Sequence, residues 1–237
     1  MRKKYLIIIP TYNEKKNIKI ILKNIKKKFK LKYDLLFIDD NSNDGTQEVL
    51  NKLKSKSLKI INRKGKLGVG SAHKDGITYG YKKKYNFIIT MDCDGTHDPK
   101  YLKKIVKLSK ENDLVTTNRF LNKNSLSNWD FHRKYLTTFR HLFVKFIFNI
   151  NIDSSGAFRC YNTKKINLND ILLSKDNSYS FFTESIVILS LKKYKIAEIP
   201  VILPKRFSGS SKMKLTDVIY GFFYTLFIFL KVKILFY

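Results

Sequence analysis

A chain of 237 residues that is 43% hydrophobic and 14% aromatic can bury one sizeable core, which excludes a disordered or fibrous protein. Its 47 basic and 19 acidic residues leave a formal charge of +28, which suits nucleic acid, an anionic membrane, or simply a lysine-rich proteome. Two cysteines, Cys93 and Cys160, form no CxxC pair and so indicate neither a zinc site nor a disulfide framework.

The basic start at Met1–Lys4 is followed by a short apolar run, Tyr5–Ile9, that stops at Pro10. The run is too brief for the core of a signal peptide and reads as a buried strand, so the body of the protein is expected in the cytoplasm. Pro10-Thr-Tyr-Asn-Glu14 ends that strand and opens a helix to about Lys30. Leu35–Ile38 is a second strand, stopped by Asp39-Asp40-Asn41-Ser42, and Asp44-Gly45-Thr46 leads into a helix towards Lys54. A third strand, Leu58–Ile61, precedes the glycine-rich loop Gly65–Gly70 and a helix to about Lys84. Phe87–Met91 is a fourth strand, ending in Asp92-Cys93-Asp94. Pro99 suits the first turn of the next helix, and Leu114–Thr117 is a fifth strand. Strands alternating with helices predict an α/β fold with a mostly parallel central sheet and flanking helices. Ligands of such sheets sit at the carboxyl ends of the strands, where the acidic and glycine-rich segments fall.

From Trp129 to Ile150 the apolar residues Leu136, Phe139, Leu142, Phe143, Phe146, Ile147 and Ile150 recur at helical spacing, among Arg133, Lys134, Arg140 and Lys145. Such a helix, at about 132–150, serves equally as a core-packed element or as one lying in a lipid interface. Val218–Leu230 is uncharged and aromatic, but Lys231 interrupts it before the roughly 20 residues that a bilayer requires. Extension to Tyr237 would need Lys231 and Lys233 to snorkel, so an interfacial or embedded helix is expected rather than a crossing. This divides the chain into a domain at 1–213 and a C-terminal hydrophobic helix at 214–237.

Asp92 and Asp94, two apart at a strand end, can share a divalent cation and a diphosphate. Asp40, after the second strand, can accept hydrogen bonds from a base or ribose, or cap a solvated turn. Gly65-Lys-Leu-Gly-Val-Gly70 has neither dinucleotide nor Walker spacing and instead permits close approach of backbone to a ligand. Arg206-Phe-Ser-Gly-Ser-Ser-Lys212 offers two cations on a hydroxyl-rich loop that can close over a diphosphate. Only seven of the 47 basic residues are arginines: Arg2, Arg63, Arg119, Arg133, Arg140, Arg159 and Arg206. Where lysine is the default, a retained guanidinium points to its planar fork, which suits phosphate.

The segments IIIPTYNE, FIDDNSNDGT, GKLGVGSA, ITMDCDGTHDP, TTNRF, SSGAFRCY and RFSGSSKM, in that order from Ile7 to Met213, resemble the family-2 inverting glycosyltransferases of the GT-A fold, and within them the dolichol-phosphate (polyprenyl-phosphate) mannosyltransferases. The resemblance implies that Pro10, Tyr12, Glu14, Ile38 and Asp40 hold the nucleoside. It implies that Asp92, Cys93 and Asp94 bind the donor and that Arg206 and Lys212 hold its diphosphate. Arg119, Arg133 and Thr137 would receive the lipid phosphate, and Asp92, Asp94 and Thr96 would meet a Mg²⁺ or Mn²⁺ ion. Thr96 stands where the mannosyltransferases usually carry a metal-ligating Gln, which bears on metal affinity and donor choice. No QxxRW is present, which favours transfer of a single sugar.

The expected reaction is inverting transfer from a nucleotide sugar, GDP-mannose first, to a polyprenyl phosphate on the cytoplasmic face of a membrane, with Asp94, Arg119 and Arg133 as the central residues. A phosphate acceptor is already ionised and needs no strong general base. A UDP-sugar donor with an undecaprenyl phosphate or saccharide acceptor is the alternative within the same chemistry. A degenerate relative that only binds donor is another. Nucleic acid is not an expected partner, because the lysines are spread along the chain and acidic pairs end the strands.

Overall fold

The computed structural model describes residues 4–127 and 129–236, of 232–236 the backbone only. Met1–Lys3 with Arg2, Asn128, the Lys233 side chain and Tyr237 lie outside the described residues.

Seven strands form one sheet: β1 (Tyr5–Thr11), β2 (Asp34–Asp39), β3 (Leu58–Asn62), β4 (Phe87–Thr90), β5 (Leu114–Asn118), β6 (Arg159–Asn162) and β7 (Ile196–Pro200). Their order is β3-β2-β1-β4-β6-β5-β7. All neighbouring pairs are parallel except those of β6, which runs against both β4 and β5. The helices are α1 (Lys15–Lys28), α2 (Thr46–Leu53), α3 (Val69–Lys82), α4 (Leu102–Leu108), α5 (Phe131–Phe148), α6 (Leu168–Leu172), α7 (Ser180–Leu191) and α8 (Leu215–Phe236). Pro99–Tyr101 is a 3₁₀ turn ahead of α4, with Pro99 in its first turn as expected.

The unbroken apolar strands follow from cover on both faces. Tyr5, Ile7 and Ile9 of β1 pack in one core with Leu35 and Phe37 of β2 and Ile18, Ile21 and Ile25 of α1. The alternate residues Leu6 and Ile8, with Leu36 and Ile38, enter a second core with Ala72 and Ile77 of α3 and Phe181 and Val187 of α7. A one-residue slip would exchange every side chain between these cores, so the parallel register (Ile8 opposite Leu36 and Thr90) is tightly specified.

The loops that end β1 and β2 are stitched together. Asn13 and Asn41 take left-handed backbone angles, φ 56° and 62°, which asparagine tolerates better than most residues. The Asn13 amide donates to Ser42 Oγ at 2.8 Å, and the Asn43 amide donates to Asn13 Oδ1 at 3.0 Å. Amides at the start of α1 donate across the gap: Glu14 N to Thr46 Oγ1 and Lys15 N to Asp44 Oδ2. Asp39 is buried and accepts from Ser42 Oγ, the Ser42 amide and Gln47 Nε2. The first and second strand ends therefore form one rigid rim.

The long C-terminal helix α8 packs on α5 and α7 rather than standing free. Tyr220 donates to Asp176 Oδ1 at 3.0 Å and Tyr224 to Glu184 Oε2 at 3.1 Å. Glu184 is buried and also accepts from Ser174 Oγ and the amides of Lys175 and Asp176. Among the described residues no helix is long and apolar enough to cross a membrane.

His73 of α3 is fully buried against Phe181 and Phe182, with neither ring nitrogen hydrogen-bonded. Burial first, then the nearby Arg159 charge, pushes its pKa down to about 3. The unfolded chain binds a proton at about pH 6.5, where the folded chain does not. Stability is therefore lost as pH falls from about 6.5 towards 3, at about 1.4 kcal/mol per pH unit. Urea unfolding at neutral pH and at about pH 5 should show a loss of about 2 kcal/mol in the wild type that is absent from His73→Leu.

Candidate active site

A cleft of about 1320 Å³ opens at the carboxyl ends of β1, β2 and β4. Pro10, Tyr12, Glu14, Asp40, Asp92, Cys93, Asp94, Thr96, Arg119, Arg133, Thr137, Arg206 and Lys212 all line it. Of the site residues expected from sequence, only Ile38 does not; its side chain is wholly buried in the second core, leaving its backbone as the part near the cleft.

Asp40 has less freedom than its position suggested. Its carboxylate accepts from the amides of Leu67 and Gly68, at 2.8 and 2.9 Å, and from Arg63 at 3.0 Å. Arg63 also donates to the Gly68 carbonyl and Ser71 Oγ and faces Asp75. Asp40 thus holds the glycine-rich loop in place. Gly68 has φ +96°, and a Cβ there would strike the Asn177 carbonyl, so only glycine fits. Lys66 from the same loop sits 4.2 Å over the Tyr12 ring, closing one wall.

Asp92 and Asp94 stand side by side at the end of β4. Burial raises the pKa of Asp92, with the Asp94 charge adding to the rise and His97 opposing it. The Asp92 amide donates to His97 Nδ1 at 2.8 Å, and His97 lies stacked on Phe158. Asp94 is buried, and its Oδ1 accepts from the Thr96 amide at 2.9 Å and the Thr96 hydroxyl at 2.6 Å. Thr96 therefore braces Asp94, with its hydroxyl oxygen beside the carboxylate. Glu14 lies close by; burial raises its pKa, Asp94 adds to the rise, and Asn17, Lys212 and Arg206 counter it. Cys93 is a buried thiol whose pKa is pushed well up by burial and the surrounding carboxylates, so it remains neutral.

Arg206 forms an ion pair with Asp94 Oδ2, and the next amide, Phe207 N, donates to the Asp94 carbonyl at 2.8 Å. The Phe207 ring covers Gly95, which has φ +91°. The loop expected to close over a diphosphate is thus seated directly on the paired carboxylates.

Three more arginines meet in the cleft. Arg119 donates to Asp153 Oδ2 at 2.7 Å; Asp153 is buried, and although burial alone would raise its pKa, Arg119 holds it low. Arg133 stacks 3.6 Å over the Trp129 ring, with Arg119 on the same ring at 6.0 Å. Burial, then repulsion from Arg206, lowers the Arg133 pKa. Arg140 reaches Thr183 from deeper on α5. Behind them, fully buried Arg159 donates to the carbonyls of Ser154, Gly156 and Phe182 and to Ser185, which fixes the segment carrying Asp153. All six described arginines line or brace this cleft. His97, Trp129 and Asp153 escaped sequence reasoning as site residues; the single tryptophan of the chain was the available signal.

Two carboxylates with an adjacent hydroxyl are hard oxygen donors, a set suited to Mg²⁺ or Mn²⁺ with its remaining ligands from water and phosphate. Among the described residues no three His, Cys, Asp or Glu side chains are placed so as to hold a metal ion by themselves, so a diphosphate would have to complete such a site.

The family model Glycosyl transferase family 2 matches residues 6–168. The undecaprenyl-phosphate mannosyltransferase of Micrococcus luteus is 27% identical over 211 residues, 88% of this chain and 86% of that one. The polyprenol monophosphomannose synthase of Mycolicibacterium smegmatis is 25% identical over 218 residues, 90% of this chain and 82% of that one. Among solved structures, glucosyl-3-phosphoglycerate synthase from Mycobacterium tuberculosis, in complex with Mn²⁺, UDP-glucose and phosphoglyceric acid, superposes with a TM-score of 0.67 at 14% identity, covering 97% of this chain and 79% of that one. Its complex with Mg²⁺ and UDP gives 0.61, again at 14% identity, covering 94% and 79%. At that identity the likeness is one of fold, the GT-A-like α/β arrangement expected from the motifs.

A Cβ on Gly95 would lie 2.5 Å from the Phe207 ring, at a backbone angle that side chains avoid. Gly95→Ala should unseat the 205–213 loop and speed trypsin cleavage at Lys205, Arg206 and Lys212 by roughly tenfold, with the core intact. Mass spectrometry of timed digests reads the effect.

Proposed function

The chain belongs to glycosyl transferase family 2, and we propose that it transfers one mannose from GDP-mannose to a polyprenyl phosphate at a membrane surface. The observation that carries this reading is the gathering of Asp92, Asp94, Arg206, Arg119 and Arg133 in one cleft that runs in among the aromatic residues of α5 and α8. Two relatives named as polyprenyl-phosphate mannosyltransferases support the sugar and the acceptor.

The donor nucleotide lies against Tyr12, Glu14 and the loop that Asp40 fixes, and its diphosphate meets Arg206 and Lys212. Asp92 and Asp94, braced by Thr96, would hold a Mg²⁺ or Mn²⁺ ion, which when bound helps stabilise charge on the departing diphosphate. Arg119, oriented by Asp153, and Arg133, flat on Trp129, present the acceptor phosphate. A phosphate oxygen forms the new bond to the anomeric carbon as the bond to the nucleoside diphosphate breaks, so configuration inverts. Arg206 leaves Asp94 for the diphosphate as the donor enters, an exchange of one anionic partner for another.

A lipid acceptor explains the apolar surface on this side of the molecule. Phe139, Phe143 and Phe222 stack between α5 and α8, and beyond them Phe131, Tyr135, Phe146, Phe223 and Phe227 are exposed. Isolated exposed aromatics are ordinary, but a face shared by two packed helices beside a lipid-phosphate site suits the membrane interface. With +28 formal charges the protein is drawn towards anionic lipid.

Radiolabelled GDP-mannose, UDP-glucose and UDP-N-acetylglucosamine offered with a polyprenyl phosphate should give labelled lipid from GDP-mannose; label from either UDP-sugar instead would sink the donor assignment. Asp94→Asn should cut turnover by about a hundredfold or more. Arg133→Ala should raise the acceptor KM by about tenfold or more while sparing donor binding. Phe146 and Phe227 lie outside the cleft lining, so Phe146→Asp with Phe227→Asp should weaken sedimentation with phosphatidylglycerol vesicles by roughly tenfold and leave transfer to farnesyl phosphate in detergent unchanged.

A further inference from the structure

Arg140 is handled unlike the other arginines of the cleft. Arg63, Arg119 and Arg206 pair with carboxylates, and Arg159 donates to carbonyls and a hydroxyl. Arg140 has one hydrogen bond, Nη2 to the Thr183 hydroxyl at 2.9 Å, while its Nε is buried with no partner. Among the described residues it makes no ion pair. After burial, the charges it feels are Arg119, then Asp153 and Asp176. Asp153 is committed to Arg119, and Asp176 accepts from the amides of Ser178 and Phe181 and from Tyr220. Gly221 of α8 lies beside the guanidinium, where a Cβ would make only ordinary contact, 3.9 Å from its Cζ.

A half-buried cation without a counter-charge is costly, and strapping α5 to α7 would need only a neutral amide. Arg140 lines the same cleft as Arg133 and Thr137, and the three fall at i, i+4 and i+7 on one face of α5. Arg119 lies within electrostatic range of both Arg133 and Arg140. The Arg119 charge is balanced by Asp153, which leaves Arg133 and Arg140 as two unbalanced cations facing one region. A phosphate monoester carries about two negative charges near neutral pH.

We propose that Arg140 is a third guanidinium for the anionic head of the lipid acceptor, the cleft-facing part of its guanidinium donating to a phosphate oxygen, so that Arg133 and Arg140 together balance the dianion. This rests on the polyprenyl-phosphate reading above.

The test compares wild type, Arg140→Met and Arg140→Lys with farnesyl phosphate as the acceptor, measuring acceptor KM, donor KM and thermal midpoint. Arg140→Met should raise the farnesyl phosphate KM by roughly tenfold to a hundredfold, the range for losing a charged hydrogen bond. Donor KM should stay within about twofold. Arg140→Lys should recover part of the loss, because it restores charge without the fork. Without turnover, farnesyl phosphate should raise the midpoint of wild type more than that of Arg140→Met. An unchanged farnesyl phosphate KM and midpoint shift would overturn the proposal. So would an equal loss towards both substrates with a lowered midpoint, the mark of a strap between helices. Should Arg140→Met not fold, the same readouts on Arg140→Lys decide: a rise of a few-fold supports the proposal and no change overturns it. A wild type that uses donor but never labels farnesyl phosphate would instead sink the acceptor reading, and this inference with it.

Discussion

The ion pair between Asp94 and Arg206 joins two parts of the chain that sequence separates by more than a hundred residues. One is the end of a buried parallel strand, where burial first and the Asp94 charge second raise the pKa of both Glu14 and Asp92. The other is a loop carrying Arg206 and Lys212. Each alone would be unfavourable: carboxylates repelling in a partly desolvated cleft, and a basic loop with nothing to sit on. Together they seat the loop through the charge contact, a hydrogen bond from the Phe207 amide and the Phe207 ring over Gly95, while Ser208 of the loop bonds to Asn17. On the reading proposed above, a diphosphate entering this place has only to draw Arg206 from Asp94, the other groups being already in position.

The arginines show how one kind of side chain serves several ends. Arg63 builds the glycine-rich loop through Asp40, and Arg159 builds the segment that carries Asp153. Arg119 is oriented by that aspartate, and Arg133 by the tryptophan it lies against. Lysine could supply the charge at each position but not the fixed plane. In a sequence where lysine outnumbers arginine so heavily, guanidinium chemistry was legible from identity alone.

β2 to β5 were readable to within one residue and β1 to within two, and β1, β2 and β4 carry unbroken apolar runs because they are covered on both faces. β6 and β7 were not: the residues of β6 read as motif rather than strand, and β7 is interrupted by Glu198 with only Ile199 buried. α7 was missed because it is buried almost all round, which erases the helical period in its hydrophobicity. The residues that line the cleft followed from local motifs, but their supports did not. Asp153 lies 34 residues from the Arg119 it orients, and nothing local in the sequence connects them. Asp40 was recognised as important while its work, holding Leu67 and Gly68, becomes visible only when the loop is seen folded against it.

The clamp on α8 has a practical consequence. Tyr220 and Tyr224 bond to Asp176 and Glu184, and these two acids organise the turn at 174–178 whose Asn177 carbonyl accepts from the Ser71 amide, at the start of the glycine-rich loop's helix. Removing the greasy C-terminus to ease purification would strip two hydroxyls from buried carboxylates and slacken that wall of the cleft. Detergents that pry α8 away would do the same. Handling of this enzyme is better aimed at shielding that helix than at deleting it.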